Sequence, residues 1–158
     1  MTPIEAIEAS AFSQAMRESP WLFPAIETVH LAGIAILVGS IAMLDLRLLG
    51  FSRALPVRRL AAHILPWAGG SFLLIVPSGL AMFLARAGEL ISSPVFAAKI
   101  CLIFAAGANA GVFHAGVFRH AARWDTDVMP PAGARVAAAV SLLLWIAVIA
   151  CGRSLLHS

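Results

Sequence analysis

The sequence predicts an all-α membrane protein, a bundle of four transmembrane helices preceded by an amphipathic helix at the membrane surface. Composition is the first reason: 61% of the 158 residues are hydrophobic, 12% are charged, and the mean hydropathy is +0.92. A soluble domain averages about 45–50% apolar and about 25% charged residues, so this chain cannot cover a surface that faces water on all sides. Length of the apolar runs is the second reason. Residues 21–44, 60–85, 94–117 and 136–152 each approach the roughly 20 residues that a helix needs to cross about 30 Å of hydrocarbon. The third is the backbone itself, whose polar groups must be satisfied internally in lipid, which makes these segments helices.

The first seventeen residues are not expected to form a signal peptide, because they carry Glu5 and Glu8 where one has its basic region and lack a long apolar stretch. Ile4, Ile7, Ala11, Ala15 and Met16 recur at helical spacing, which predicts an amphipathic helix on the outer leaflet over residues 1–18. Residues 19–158 form the membrane domain. Ser19-Pro20 and Ser93-Pro94 each offer an N-cap followed by proline at the first helical position. Pro130-Pro131 separates the third helix from the fourth. Pro66 and Pro77, the latter close to Gly79, lie inside the second helix and predict a kink there.

Charge sets the expected topology. Arg47, Arg53, Arg58 and Arg59 lie in the first loop and Arg119, Arg123 and Arg135 in the third, against Arg17, Arg86, Lys99 and Arg153 on the other side. By the positive-inside rule both termini face outward from a bacterial inner membrane. The net charge of +3 comes from these dispersed topology residues and marks no nucleic-acid surface. Two cysteines without a CxxC indicate neither a zinc site nor a disulfide framework. No nucleophile with a base at fixed spacing and no phosphate loop is present, so no catalytic residue is assigned.

Ionisable side chains inside apolar helices are expensive, at about 2.5–3.5 kcal/mol each on insertion scales, and are therefore candidate site residues. Taking about 1.5 Å of rise per residue, His63 and His114 fall at matching depths, about 13 and 12 Å to the inner side of the midplane. Two imidazoles at one level of a four-helix bundle can hold a metal between helices. Haem b suits them, because its iron accepts two axial histidines and its macrocycle is apolar. Gly70, seven residues after His63, and Gly107, seven before His114, share a face with their histidine and leave room for a ring. Gly107 with Gly111 reads equally as a small-xxx-small seam for helix packing, which would also permit a homo-oligomer.

A second group lies in the outer half. Glu27 and His30 share one face of the first helix, with Lys99 and Arg153 at compatible heights. One reading is an ion pair between Glu27 and Arg153. The other makes Lys99 and Arg153 partners for haem propionates or a quinone oxygen, with Glu27 and His30 passing protons. His30 also serves as a third metal ligand. Asp45 and Arg47, at the inner boundary, are expected to pair or snorkel, and His120 and His157 to be interfacial, with Asn109 on the face of His120. Cys101, Cys151, Met82 and His30 offer soft donors for Cu(I), although Cys and Met also serve as inert packing.

The stretch Glu27-Thr28-Val29-His30-Leu31-Ala32-Gly33 followed by Leu37-Val38-Gly39, then Phe96-Ala97-Ala98-Lys99, and Trp145 through Gly152-Arg153 resemble a group of small, uncharacterised bacterial membrane proteins. That group is similar in turn to the copper-resistance-D-like proteins and, more distantly, to the HemJ-like membrane protoporphyrinogen oxidases. The resemblance implies a four-helix membrane domain with functional roles for His30 and Lys99, tied in the HemJ-like group to haem b and porphyrin chemistry. The spacing from Lys99 to His114 departs from the HemJ-like pattern. The resulting expectation is a haem b protein that moves electrons between a quinol and a redox partner. Its alternatives are a copper-handling protein and a structural membrane subunit without cofactor.

Overall fold

The computed structural model describes residues 3–155, all of whose regular elements are helical. Short helices α1 (Pro3–Glu8) and α2 (Ala11–Glu18) precede the first long helix, α3 (Leu22–Leu49). Then come α4 (Val57–Ala85), short α5 (Ala87–Ser92), α6 (Pro94–Ala115), a 3-10 segment (Val117–Arg123) and α7 (Ala132–Ser154). The four long helices, α3, α4, α6 and α7, are each apolar and long enough to cross a membrane. Most of their surface faces outward, with Leu73 79%, Phe104 75% and Val112 75% exposed. In a bilayer, that outward apolar surface meets lipid.

Local chemistry sets several boundaries. Ser93 caps α6 by accepting from the Phe96 N–H, with Pro94 at the first turn. α3 continues past the expected end at residue 44, through Asp45 and Arg47. It stops at Gly50, whose φ of 109° is the left-handed conformation that favours glycine. There the Gly50 N–H donates to Arg47 O at 3.1 Å and the Phe51 N–H to Leu46 O at 3.1 Å, a Schellman stop.

The start of α4 has no local cap, since Pro56 precedes it. Asp125 supplies one from the distant third loop. Its carbonyl accepts from the Val57 N–H at 3.0 Å, and its carboxylate accepts from the Arg58 N–H at 2.8 Å, adding negative charge at the positive end of the helix.

Arg47 holds this end together. It is 2% exposed, and it neither pairs with Asp45 nor snorkels. Its Nε donates to Leu55 O at 2.7 Å, and its Nη2 to Arg53 O and Asp125 O, each at 3.1 Å. A planar guanidinium can serve three carbonyls from two loops at once. Around it lies the main apolar core, with Leu44, Leu48, Val57, Phe113, Trp124 and Ala134 among its members.

At the other end the amphipathic segment is two helices, broken at Ala9 and Ser10. It docks on the protein by more than its apolar face. Met16 is buried, whereas Ala11 and Ala15 are exposed. Fully buried Ser13 has its Oγ 2.8 Å from Leu84 O and 2.9 Å from Ile7 O, sharing one proton between them. Arg17 donates to Ala85 O at 3.0 Å, and Glu8 accepts from the Gly88 N–H at 2.8 Å. The last carbonyls of α4 have no partner within their own helix, and this segment provides them.

The long helices pack in the order α4, α3, α7, α6. The tightest approach is α3 on α4 at Gly33, where a built Cβ would lie 2.7 Å from Ile75 Cγ1 and 3.3 Å from Ile75 N. No Cα of α4 lies within 8 Å of one of α6. At Gly107 and Gly111 a built Cβ meets nothing within 4 Å, so the expected glycine seam is absent from the packing of this chain. Gly33 has that role instead.

Candidate functional site

Between the four long helices lies an apolar cavity of about 350 Å³, within the roughly 300–1,000 Å³ of small-molecule sites. Its walls come from α3, α4, α6 and α7, and its polar groups are few: Asp45, Asn109, His114 and Ser141. Phe72, Phe113 and Trp145 add aromatic surface. The loop-end core forms the floor, since Leu44, Leu48, Phe113 and Ala138 belong to both.

Two of the polar groups carry unpartnered atoms. Asp45 is 5% exposed, and its Oδ2 is buried without a hydrogen bond. Ser141 of α7 is its polar neighbour. The Nε2 of His114 is likewise buried and without a partner. Its Nδ1 lies 2.8 Å from Ala110 O, and because a carbonyl can only accept, Nδ1 carries a proton and donates it. Contacts with Phe113 and Phe118, at ring-centroid distances of 5.1 Å each, hold the imidazole. A buried polar group without a partner is unfavourable by about 1–3 kcal/mol, and two residues of this cavity's wall, like Arg47 through its Nη1 at the loop end, carry one.

The structure does not seat His63 with His114. His63 is exposed and absent from the cavity wall, which its neighbours Ile64 and Leu65 line. Matching depth does not bring the rings together, because α4 and α6 stand on either side of the cavity and His63 points away from it. Gly107 does line the cavity, but Gly70 does not; its neighbour Gly69 takes that place.

His30 packs against α4 beside Pro77. Pro77 lacks an N–H and disturbs the hydrogen-bond ladder there, and Ser78 Oγ turns back to donate to Leu74 O. The Nδ1 of His30 then donates to Ile75 O at 3.1 Å and to Ser78 Oγ at 2.9 Å. This nitrogen ties α3 to the proline-bearing stretch of α4, and Gly79 makes room, since a built Cβ would meet the His30 ring at 3.0 Å.

Of the outer group, Glu27 and Lys99 are within electrostatic reach of His30, and Lys99 of Cys151. A built Cβ at Gly152 would lie 3.5 Å from Lys99 Nζ. Arg153 is exposed, and no ion pair joins it to Glu27. Asn109 donates to Ala137 O at 2.9 Å, linking α6 to α7, while His120 is exposed on the 3-10 segment. Cys101 is exposed and Cys151 half-buried. Among the described residues no three His, Cys, Asp or Glu side chains converge as a metal site. His157 lies outside the described residues.

Sequence reasoning missed Asp45. It stands in the run Leu44-Asp45-Leu46, and ending the first helix at residue 44 moved this acid to the boundary, where a charge needs no explanation. Extending the helix would have exposed the signal.

Fold and cavity together define a multi-pass helical membrane protein with an apolar cavity between its spans. The chain belongs to a family of unknown function (DUF6644), which it matches over residues 23–158. No curated protein and no solved structure matches it.

Proposed function

We propose that this protein binds a small, largely apolar molecule inside the membrane, in the cavity between α3, α4, α6 and α7. The observation that carries this reading is the cavity itself, about 350 Å³ of apolar space whose wall includes Asp45 and His114, side chains that each hold a buried atom without a hydrogen bond. Apolar walls supply affinity, and the few polar groups orient the ligand. The test is organic extraction of the protein purified in lipid nanodiscs, followed by mass spectrometry. A stoichiometric small molecule is expected with wild type and is lost from Asp45→Leu and His114→Leu, with helicity retained by circular dichroism. A ligand retained by both variants overturns the proposal.

A second reading, haem b held through His114 alone, has its own support. His114 lines the cavity and its Nδ1 donates to a backbone carbonyl, the hydrogen bond that a metal-holding imidazole commonly makes. The resemblance to the HemJ-like group points the same way. Bis-histidine ligation does not fit, because His63 lies outside the cavity. Haem would supply one-electron chemistry when bound, and His114 would fix its orientation. A Soret band that His114→Ala removes supports this reading, and a colourless protein expressed with ample haem overturns it.

A further inference from the structure

The loop between α3 and α4 and the connection between α6 and α7 are held together as one surface. The Asp127 N–H donates to Arg53 O at 2.9 Å and the Val57 N–H to Asp125 O at 3.0 Å. Buried Arg47 donates to carbonyls on both sides of the joint. Arginines that lie far apart in the sequence therefore share one end of the bundle, at the level where the four spans stop.

Six of them are exposed there: Arg53, Arg58, Arg59, Arg119, Arg123 and Arg135. Arg58 and Arg59 open α4, Arg119 and Arg123 belong to the 3-10 segment, and Arg135 lies in the first turn of α7. The acids of these loops are Asp125, engaged in capping α4, and Asp127. None of the six guanidiniums makes a hydrogen bond or an ion pair with another described residue. At the opposite end, by contrast, Arg17 donates to Ala85 O and Arg86 pairs with Glu89.

Unpaired guanidiniums alone would suit any polyanion. The same loops also expose Phe51, Leu55, Val128 and Met129, and apolar side chains beside the cations select a surface that is anionic and oily at once. A bilayer leaflet has both properties at this level. Guanidiniums present paired N–H groups to phosphate oxygens, and apolar side chains at the head-group boundary enter the upper acyl chains.

We propose that the loop end is a docking face for anionic phospholipid, with the arginines of both loops on head-group phosphates and Phe51, Leu55, Val128 and Met129 among the acyl chains. The charges that orient the chain during insertion thereby also act on the folded protein. The attraction is electrostatic, and salt weakens it.

The test is native mass spectrometry of the detergent-purified protein with phosphatidylglycerol and phosphatidylcholine of identical acyl chains, read as the ratio of the two affinities. Wild type is expected to favour phosphatidylglycerol. Arg58→Gln with Arg59→Gln, and Arg119→Gln with Arg123→Gln, are each expected to lower the ratio by at least about fivefold, the effect of one cationic side chain near an anionic surface. Helicity and unfolding midpoint should be unchanged in both, because these guanidiniums make no bond within the protein, and Arg153→Gln at the other end should leave the ratio as it is. Wild type without a preference, variants that keep the ratio, or an equal loss in Arg153→Gln overturns the docking face. A loss from one pair alone overturns the joint surface of the two loops. A poly-glutamate peptide or RNA oligonucleotide that displaces phosphatidylglycerol at equal charge concentration overturns the assignment to lipid.

Discussion

Asp45 on α3 and His114 on α6 line the same apolar cavity, and each holds one buried polar atom without a hydrogen bond. Their helices are not neighbours in the packing order, so the space between them is what relates the two residues. A buried polar atom without a partner is unfavourable, and removing either group should reveal its cost.

Asp45→Leu is expected to make the empty protein more stable while abolishing ligand binding. Removing an unpartnered buried group relieves about 1–3 kcal/mol, and leucine fills part of the space. Thermal unfolding in detergent, with and without ligand, checks both halves. A lower midpoint for the empty variant contradicts the role given to Oδ2.

Arg47→Ala should destabilise the loop end by about 3 kcal/mol, since it leaves three carbonyls without their charged donor. Arg47→Lys should recover little, because an ammonium cannot reproduce the fork. Proteolysis within residues 50–56 and 124–131, read by mass spectrometry, should accelerate in both variants.

How much was legible in the sequence follows from these residues. Four spans could be read because hydropathy and length depend only on the chain's own composition. Which face of each span points inward could not, because helices apolar on every side carry no stripe to mark it. His63 and His114 were matched by depth, a quantity that sequence supplies, but azimuth separates them. Arg47 was unreadable for another reason: its partners Arg53, Leu55 and Asp125 are backbone carbonyls, and a carbonyl leaves no trace in residue identity. The same holds for Ser13 and Arg17 on α4, whereas the N–H that Pro77 lacks is legible, because proline acts on its own helix.

Gly33→Ala should force α3 and α4 apart. A methyl group would meet Ile75 Cγ1 at 2.7 Å and the backbone N of Ile75 at 3.3 Å, and crowding of this kind is unfavourable by about 1–3 kcal/mol. The expected readout is a lower unfolding midpoint, together with loss of the His30 contact at Ser78 in histidine NMR. Gly107→Ala, with open space around it, should leave the midpoint unchanged or slightly raised.

Ser13→Ala should weaken docking of the N-terminal segment by about 1 kcal/mol through loss of its buried hydroxyl. Amide exchange should rise in residues 10–18 and at the end of α4, while the rest of the four spans keeps its protection.

Arg86 holds the Glu89 carboxyl below the ordinary glutamate value of 4.5 by a hydrogen bond, Nε to Oε2 at 2.8 Å, and by its charge. The pair's contribution is complete above that value and fades as pH falls through the lower folded-state value. Carboxyl carbon NMR should show Glu89 titrating low in wild type and returning toward 4.5 in Arg86→Ala.

The seating of Ser13 on Leu84 also constrains biogenesis. A hydroxyl ahead of the first long helix finds its acceptor 71 residues later, at the end of the second. The segment around Ser13 therefore stays unseated until both helices have been synthesised, and its docking marks completion of that helical hairpin.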